Sequence, residues 1–242
     1  MKDTKFEHVR HSLRQAARDI YRILDSSLVA NKKNQSDSMH DVNFVISGSC
    51  IYNLYHDKQR VFEGTDFDLF FRTNDAYKFF ANNLIGNVPV VMLDDYNALS
   101  MKTGIFYRSA RAYSFSSPPL YPKINLISWH VEAGKTYSQP LGFINNFDYS
   151  HAMAVYDIRE DVLMMSEQTK SDIEGSVLRL NPKRVHEIED MMHADFFSDA
   201  MLLIKSQLIR HKKFLGRGLV PTEGTVENIA KLEKILEDNK KI

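Results

Sequence analysis

Residues 44–71 have the sequence FVISGSCIYNLYHDKQRVFEGTDFDLFF, in which small and acidic residues interrupt two apolar segments at fixed places. Gly48 and Ser49 directly follow the first apolar segment, and Asp66 and Asp68 lie inside the second. This order predicts a strand, a turn that opens a helix, and a second strand that carries two carboxylates.

The two aspartates of the second segment have a spacing that suits metal binding. Side chains of a strand alternate between its faces, so we expect Asp66 and Asp68 on one face and Phe67 and Leu69 on the other. Adjacent carboxylates repel each other, and a divalent cation relieves that repulsion. Oxygen ligands of this kind suit Mg²⁺ or Mn²⁺ shared with substrate phosphates. The alternative interpretation is a solvated edge charge or a helix cap.

Gly48 and Ser49 have the residue types of a phosphate-binding turn. A glycine between a strand and a helix lets the backbone approach a ligand closely, and the start of a helix offers N–H groups to a phosphate. The same pair also occurs where a helix simply begins. Next to two metal-binding carboxylates, the pair favours phosphoryl or nucleotidyl transfer.

The segments VISGSCIYNLY and GTDFDLFF resemble the signature of the nucleotidyltransferase superfamily that includes DNA polymerase beta, over about residues 43–130. The resemblance implies that Gly48 and Ser49 contact the triphosphate of an NTP and that Asp66 and Asp68 hold two divalent ions. The segments NALSMK, KINLISW and FINNFDYSHAMAVYD are similar to uncharacterised nucleotidyltransferase-like proteins of large tailed phages. This second resemblance implies a phage-encoded protein.

The third carboxylate of the superfamily is the point at which this chain departs from the pattern. Active members usually carry another Asp or Glu on a later strand, where KINLIS has Asn125. An amide can ligate a metal through its oxygen but cannot deprotonate an attacking hydroxyl. Asp148 is the alternative third acid, with His151 nearby as a base or phosphate contact. Both also have structural interpretations, Asp148 as a cap and His151 as a satisfied histidine.

The pattern of the whole chain predicts an α+β fold, a nucleotidyltransferase-like mixed sheet flanked by helices. Apolar spacing predicts a helix over about residues 5–28, and a helical C-terminal region follows from about Pro182. We expect three regions, namely residues 1–40, an α/β core over 41–180, and a helical region over 181–242. Between the two aspartates and the helical region, the patterns predict a helix at NDAYKFFANNL and strands at VPVVML, GIFYRSARAYSF and KINLISW.

A cluster of basic residues near the C-terminus is a candidate nucleic-acid contact. Arg210, Lys212, Lys213 and Arg217 lie within eight positions and next to Phe214, which can stack on a base. Cations in the last turn of a helix also complement its dipole without binding anything. We expect the helix that carries them to bury Leu202, Leu203 and Leu208 or Ile209.

Composition limits the remaining classes. The chain has 242 residues with 31 basic and 31 acidic side chains, so its net charge gives no evidence on polyanion binding. The single cysteine, Cys50, excludes an intramolecular disulfide framework, and no apolar segment has the length of a membrane span. We expect a cytoplasmic nucleotidyltransferase that moves an NMP from an NTP to a hydroxyl on RNA or protein. The alternative is a non-catalytic module of the same fold that binds RNA or a host protein.

Overall fold

The structure is a computed structural model. Its described residues are 4–29, 44–56, 66–71, 94–97, 101–102, 107–108, 110–117, 121–129, 144, 147–193 and 196–239. They form the following α-helices: α1 (Thr4–Val29), α2 (Ser49–Tyr55), α3 (Glu167–Glu174), α4 (Pro182–His193), α5 (Phe197–Gly216) and α6 (Glu223–Asp238). The predicted N-terminal helix and helical C-terminal region are therefore confirmed.

The described strands form one large sheet and two small ones. The strands are β1 (Phe44–Ser47), β2 (Asp66–Phe71), β3 (Asp94–Asn97), β4 (Met101–Lys102), β5 (Tyr107–Arg108), β6 (Ala110–Ser117), β7 (Tyr121–Trp129), β8 (Val155–Asp157), β9 (Val162–Met164), β10 (Val177–Leu178) and β11 (Val220–Pro221).

The large sheet has seven strands in the order β3-β6-β7-β2-β1-β8-β9. β2 and β7 are parallel, whereas the other neighbouring pairs are antiparallel. β4 pairs with β5, and β10 pairs with β11, in separate two-stranded sheets. A mixed sheet with helices before and after it confirms the predicted α+β class.

Because side chains alternate along β2, the residues on its two faces lie in different surroundings. Phe67, Leu69 and Phe71 are buried in the main core, which the helices cover. Phe70 lies in a second cluster with Val45. Asp68 shares the face of Phe70 because the two are separated by two positions in a strand.

The register between neighbouring strands brings polar residues into one row. Ser47 of β1 lies opposite Asp68 of β2, and Asp68 lies opposite Asn125 of β7. We call Ser47, Asp68 and Asn125 the polar row. It lies on the face of the second, smaller apolar cluster, and Ser47 donates a hydrogen bond to the backbone oxygen of Ala154 at 2.6 Å.

α1 packs on the main core through Phe6, Val9 and Leu13, as its apolar spacing predicts. Its polar edge is held by Asp161, which lies just before β9. Arg10 Nη1 donates to Asp161 Oδ2 at 2.6 Å, and Arg14 Nε donates to Asp161 Oδ1 at 2.9 Å. These contacts join the start of the chain to the far edge of the sheet.

Two predictions about individual elements are wrong in part. In α5, Leu202 and Ile209 are exposed, the latter to 68%, whereas Leu203 and Leu208 are partly buried against the main core, as predicted. The fully buried face of α5 is therefore not the one that carries Leu202 and Ile209. Its buried residues are Ala200, Ile204, Gln207, His211 and Phe214.

The segment GIFYRSARAYSF is also not one strand. Its described residues divide between β5, which pairs with β4 in a separate small sheet, and β6, which belongs to the large sheet. KINLISW lies within β7, as predicted.

Some predictions concern residues outside the described part of the chain. These are the helix at NDAYKFFANNL and the strand at VPVVML. The proposed region boundaries at residues 40 and 180 remain predictions. Among the helices that the structure describes, none has the length and apolar character that crossing a membrane requires.

Candidate active site

Gly48 and Asp68 are in close contact at the end of β1. Gly48 has φ +96°, a conformation that side chains strongly disfavour. A Cβ atom at this position would lie 2.7 Å from Asp68 Oδ2. Glycine is therefore required here both by the backbone and by the neighbouring carboxylate. Gly48 and Asp68, which the sequence predicts to belong to one site, lie together in the structure.

Ser49, the first residue of α2, is linked to the helical region. Arg217 Nη1 donates a hydrogen bond to Ser49 Oγ at 3.1 Å. The guanidinium of Arg217 also lies over the ring of Phe214, 5.8 Å from its centroid. The contact brings one residue of the predicted basic cluster to the predicted nucleotide-binding turn.

Asn125 is held against Asp68 across the parallel strands. Its Nδ2 atom donates a hydrogen bond to Asp68 Oδ1 at 2.7 Å. Asn125 thus lies beside Asp68 on the neighbouring strand. This is the position at which the superfamily resemblance predicts a third acid. In this arrangement its amide nitrogen, and not its oxygen, faces the carboxylate.

Asp66 begins β2, two residues before Asp68, and lies opposite Lys123 in the register. Its side chain lies outside the described part of the structure. Asp66 and Asp68 supply carboxylate oxygens, which are the ligands that Mg²⁺ and Mn²⁺ prefer, so the residue types fit such an ion. Among the described residues, no group of three or more His, Cys, Asp or Glu could hold a metal. Metal binding therefore remains a prediction.

Asp148 lies in a buried ion-pair network with two arginines. It is 8% exposed, its Oδ1 lies 2.6 Å from Arg184 Nε, and its Oδ2 pairs with Arg210 Nη1. Arg184 is itself buried and also pairs with Glu187. Burial lowers the pKa of Arg184, and the charge of Glu187 opposes that shift. A carboxylate held by two guanidiniums is suited to positioning those arginines, and its role as a third acid remains untested.

Arg210 joins this network to the polar row. Burial lowers the pKa of its guanidinium, and the negative charge of Asp68 acts in the opposite direction. About half of the Arg210 side chain is exposed, at 52%. Arg210 is thus paired with Asp148 and interacts with the charge of Asp68.

His151 is fully buried next to Phe214, the residue over whose ring Arg217 lies. Its ring packs edge-on against Phe214 at 4.5 Å, and no described residue forms a hydrogen bond with either ring nitrogen. Burial lowers the pKa of His151 to about 3; the charge of Arg217 lowers it further, and Asp172 opposes both. His151 is therefore neutral at physiological pH and is not exposed to a substrate as a surface base.

The predicted basic cluster is divided by the geometry of α5. Arg210 and Arg217 contact the candidate site, whereas His211 is buried and its pKa is lowered, mainly by burial. Lys212 and Lys213 are exposed. The four basic residues therefore differ in their contacts, and contact of Lys212 and Lys213 with nucleic acid remains a prediction.

Sequence reasoning missed Arg184 and Ser47. Arg184 is in the first turn of α4, within PKRVHEIED, where a basic residue is normally solvated, so the sequence carries no signal of its burial. Ser47 could have been found as the polar residue that ends an apolar strand. Only the strand register shows that it lies opposite Asp68.

The model of one protein family matches residues 19–175, well over half of the chain, and is described as Gad2, Gabija anti-defense 2 family protein. The chain belongs to the Gad2 family. The Gad2 match includes the whole polar row, Gly48 and Asp148, and ends just after α3. The helices α4, α5 and α6 of this Gad2 protein lie outside the matched segment.

A solved structure described as a tRNA-processing enzyme with CTP is similar to this Gad2 chain. The TM-score is 0.44 at 15% sequence identity, and the likeness covers 80% of this chain. The chain spans 43% of the length of that structure, which is less than half. No curated protein matches the chain.

Proposed function

We propose that this Gad2 protein is a metal-dependent nucleotidyltransferase that moves an NMP from an NTP to an acceptor hydroxyl on RNA or protein. Gly48 and Ser49 bind the nucleotide phosphates, and Asp66 and Asp68 bind Mg²⁺ or Mn²⁺. Membership of an anti-defense family supports a phage link and an acceptor that belongs to the defended cell. The proposed place of action is the host cytoplasm.

The observation that carries the proposal is the contact of Gly48 with Asp68. Because residue 48 has no side chain, Asp68 Oδ2 can lie 2.7 Å from the place that a Cβ atom would occupy. The backbone of the turn and the carboxylate are therefore close together. A phosphate that approached this turn would lie beside the carboxylate, and a cation between them would neutralise both. The same place therefore suits a metal and a nucleotide together.

The proposed reaction is a displacement at the α-phosphorus of the NTP. The acceptor oxygen forms a bond to that phosphorus, the bond to the β-phosphate breaks, and pyrophosphate leaves while the acceptor proton passes to solvent. A bound divalent cation would stabilise the developing charge and favour ionisation of the attacking hydroxyl. The chain's own residues position the phosphates and hold the carboxylates.

Asn125 favours a second candidate function. Its amide donates to Asp68 Oδ1 at 2.7 Å, so it occupies a lone pair that a cation would use and adds no negative charge. A site with this arrangement fits a module that binds RNA or a host protein without catalysis. If Asp148 is the third acid instead, it must leave its ion pairs with Arg184 and Arg210.

The proposed activity can be tested with each of the four labelled NTPs. The full chain is incubated with Mg²⁺ or Mn²⁺, total RNA and cell lysate, and label is sought on any macromolecule. We expect label on one acceptor class, and its loss in the Asp66→Asn, Asp68→Asn double variant. The Lys205→Gln variant, which changes an exposed side chain of α5, is the matched control.

The outcomes separate the two candidate functions. Label that survives in the double variant would show that the aspartates are not the metal ligands. Absence of label together with absence of nucleotide binding would favour the non-catalytic module, whose partner is then sought by pull-down. Nucleotide binding without transfer would indicate that the site binds an NTP but lacks the acid that Asn125 replaces.

A further inference from the structure

Two arginines of the helical region, Arg210 and Arg217, lie beside the candidate nucleotide site. They are separated by seven positions, which is about two helical turns, so both lie on one side of α5 and the turn that follows it. Lys212 is exposed and lies nearly opposite Arg210 around the helix axis, whereas Lys213 is exposed on the same side as the two arginines. The contacts of Arg210 with Asp148 and of Arg217 with Ser49 join these two arginines to the candidate site.

Arg217 is held in place by two kinds of contact. It donates from Nη1 to Ser49 Oγ at 3.1 Å, and its guanidinium lies over Phe214. Phe214 is buried and packs against His151, so the surface under the guanidinium is fixed. A phosphate bound at Ser49 would meet a cation that is already oriented toward it.

Arg210 is held from the opposite side by Asp148. The ion pair uses Nη1, and a guanidinium has five N–H donors, so capacity for a phosphate remains. Half of the side chain is exposed. Asp148 is anchored in turn by the buried Arg184. The network thus holds Arg210 on the side of α5 that is continued by Arg217, whose guanidinium contacts Ser49.

We propose that Arg210 and Arg217 bind the phosphate groups of a nucleoside triphosphate, and that Asp148 is the positioning residue for Arg210. This inference rests on the proposed function and assigns the cationic side of that site to α5 and the turn that follows it. In this assignment the two arginines bind a nucleotide, whereas the sequence pattern predicted that they contact a nucleic acid. Both lie beyond residue 175, so the helical region supplies part of the site from outside the segment matched by the family model.

Binding of inorganic tripolyphosphate tests the inference without requiring catalysis. Dissociation constants are measured by calorimetry for tripolyphosphate and for ATP, CTP, GTP and UTP, each with Mg²⁺. We expect Arg210→Gln and Arg217→Gln each to weaken binding of tripolyphosphate about tenfold or more, the loss of one charge-assisted hydrogen bond. Lys205→Gln removes the same charge from an exposed position of α5 and should change binding less than about twofold.

The role of Asp148 has its own readout. Asp148→Glu keeps the charge but moves the carboxylate, so it should weaken tripolyphosphate binding in the wild-type background. In the Arg210→Gln background the same substitution should have no further effect, because its influence acts through Arg210. Equal losses in both backgrounds would show a general structural role and would overturn the positioning assignment.

The remaining outcomes distinguish this inference from the proposed function. If the wild-type chain binds no NTP, the proposed function fails, and the inference fails with it. If NTPs bind and Asp68→Asn removes the dependence on Mg²⁺, but both arginine variants behave like Lys205→Gln, only this inference is overturned. Variants that lose binding of an RNA oligonucleotide and keep tripolyphosphate binding would return the arginines to a nucleic-acid role.

Discussion

The Oδ2 atom of Asp68 lies 2.7 Å from the place that a Cβ atom of residue 48 would occupy. This contact makes the glycine of the turn a steric requirement of the carboxylate. It also joins two motifs that are separated by 20 positions in the sequence.

Gly48→Ala should destabilise the chain and displace Asp68. The positive φ alone costs about 1 kcal/mol or more for a residue with a side chain, and the contact with Asp68 adds to it. Gly218→Ala is the matched control, since Gly218 has φ +86° but nothing within 4 Å of a Cβ atom. Urea unfolding should give a free energy at least about 1 kcal/mol lower for Gly48→Ala than for Gly218→Ala. Equal losses would mean that Asp68 does not constrain the turn.

Asn125→Asp should make stability depend on divalent cations. The substitution replaces an N–H donor with a second carboxylate beside Asp68, and the two charges repel each other in the absence of a metal. We expect a lower melting temperature in EDTA and a larger rise on addition of Mg²⁺ than in the wild type. Asn125→Ala controls for loss of the hydrogen bond. A response to Mg²⁺ no greater than that of Asn125→Ala would argue against a metal at this position.

Asp148→Asn should be far more destabilising than Arg210→Gln. Removing the carboxylate takes from the buried Arg184 its ion pair with Asp148, which costs about 3 kcal/mol or more by analogy with broken buried ion pairs. Arg210 is half exposed, and Asp148 keeps Arg184 when Arg210 is replaced, so we expect a loss of about 1 kcal/mol or less. Chemical unfolding of the two variants measures the difference. Comparable losses would show that Arg184 does not need Asp148 for burial.

Stability should fall as the pH is lowered through the range in which an unfolded histidine gains its proton. His151 has a folded-state pKa of about 3, below an unfolded value of about 6.5. The stability associated with its neutral form is complete above pH 6.5 and declines progressively toward pH 3, by up to about 1.4 kcal/mol for each pH unit. The unfolding free energy is measured at pH 7 and pH 5, a window above the pKa values of most carboxyls.

The variant His151→Leu should reduce this dependence on pH. His211 contributes in the same direction, since burial lowers its pKa as well, so His211→Leu should reduce the dependence further. An unchanged difference between pH 7 and pH 5 in His151→Leu would show that His151 is protonated in the folded chain.

Much of the fold follows from local patterns of the sequence. The spacing of Phe6, Val9 and Leu13 determined the first helix, and the alternation of residues in DFDLFF determined which face of β2 lies toward the main core. These patterns suffice because secondary structure repeats with a fixed period, and burial of one face follows from that period. The pairing of Gly-Ser with Asp-x-Asp likewise indicated which parts of the chain belong to one site.

The exposed residues of α5 show where local patterns fail. Several of its apolar residues compete for the core, and only packing against neighbouring elements decides that Ile204 and Phe214 are buried while Leu202 and Ile209 are exposed. The partners of charged residues depend in the same way on tertiary contacts. Arg184 looks like an ordinary solvated residue in the sequence, yet it neutralises a buried aspartate.

The sequence by itself determined the α+β class, the strand positions of Asp68 and Asn125, and the turn at Gly48, because each depends on residues that are close along the chain. Only the tertiary structure decided that Asn125 donates to Asp68, that Arg217 reaches Ser49 across 168 positions, and that Asp148 is paired with two arginines. These contacts join distant segments. Strand register and helix packing create them, and no local pattern encodes which distant residue will be the partner.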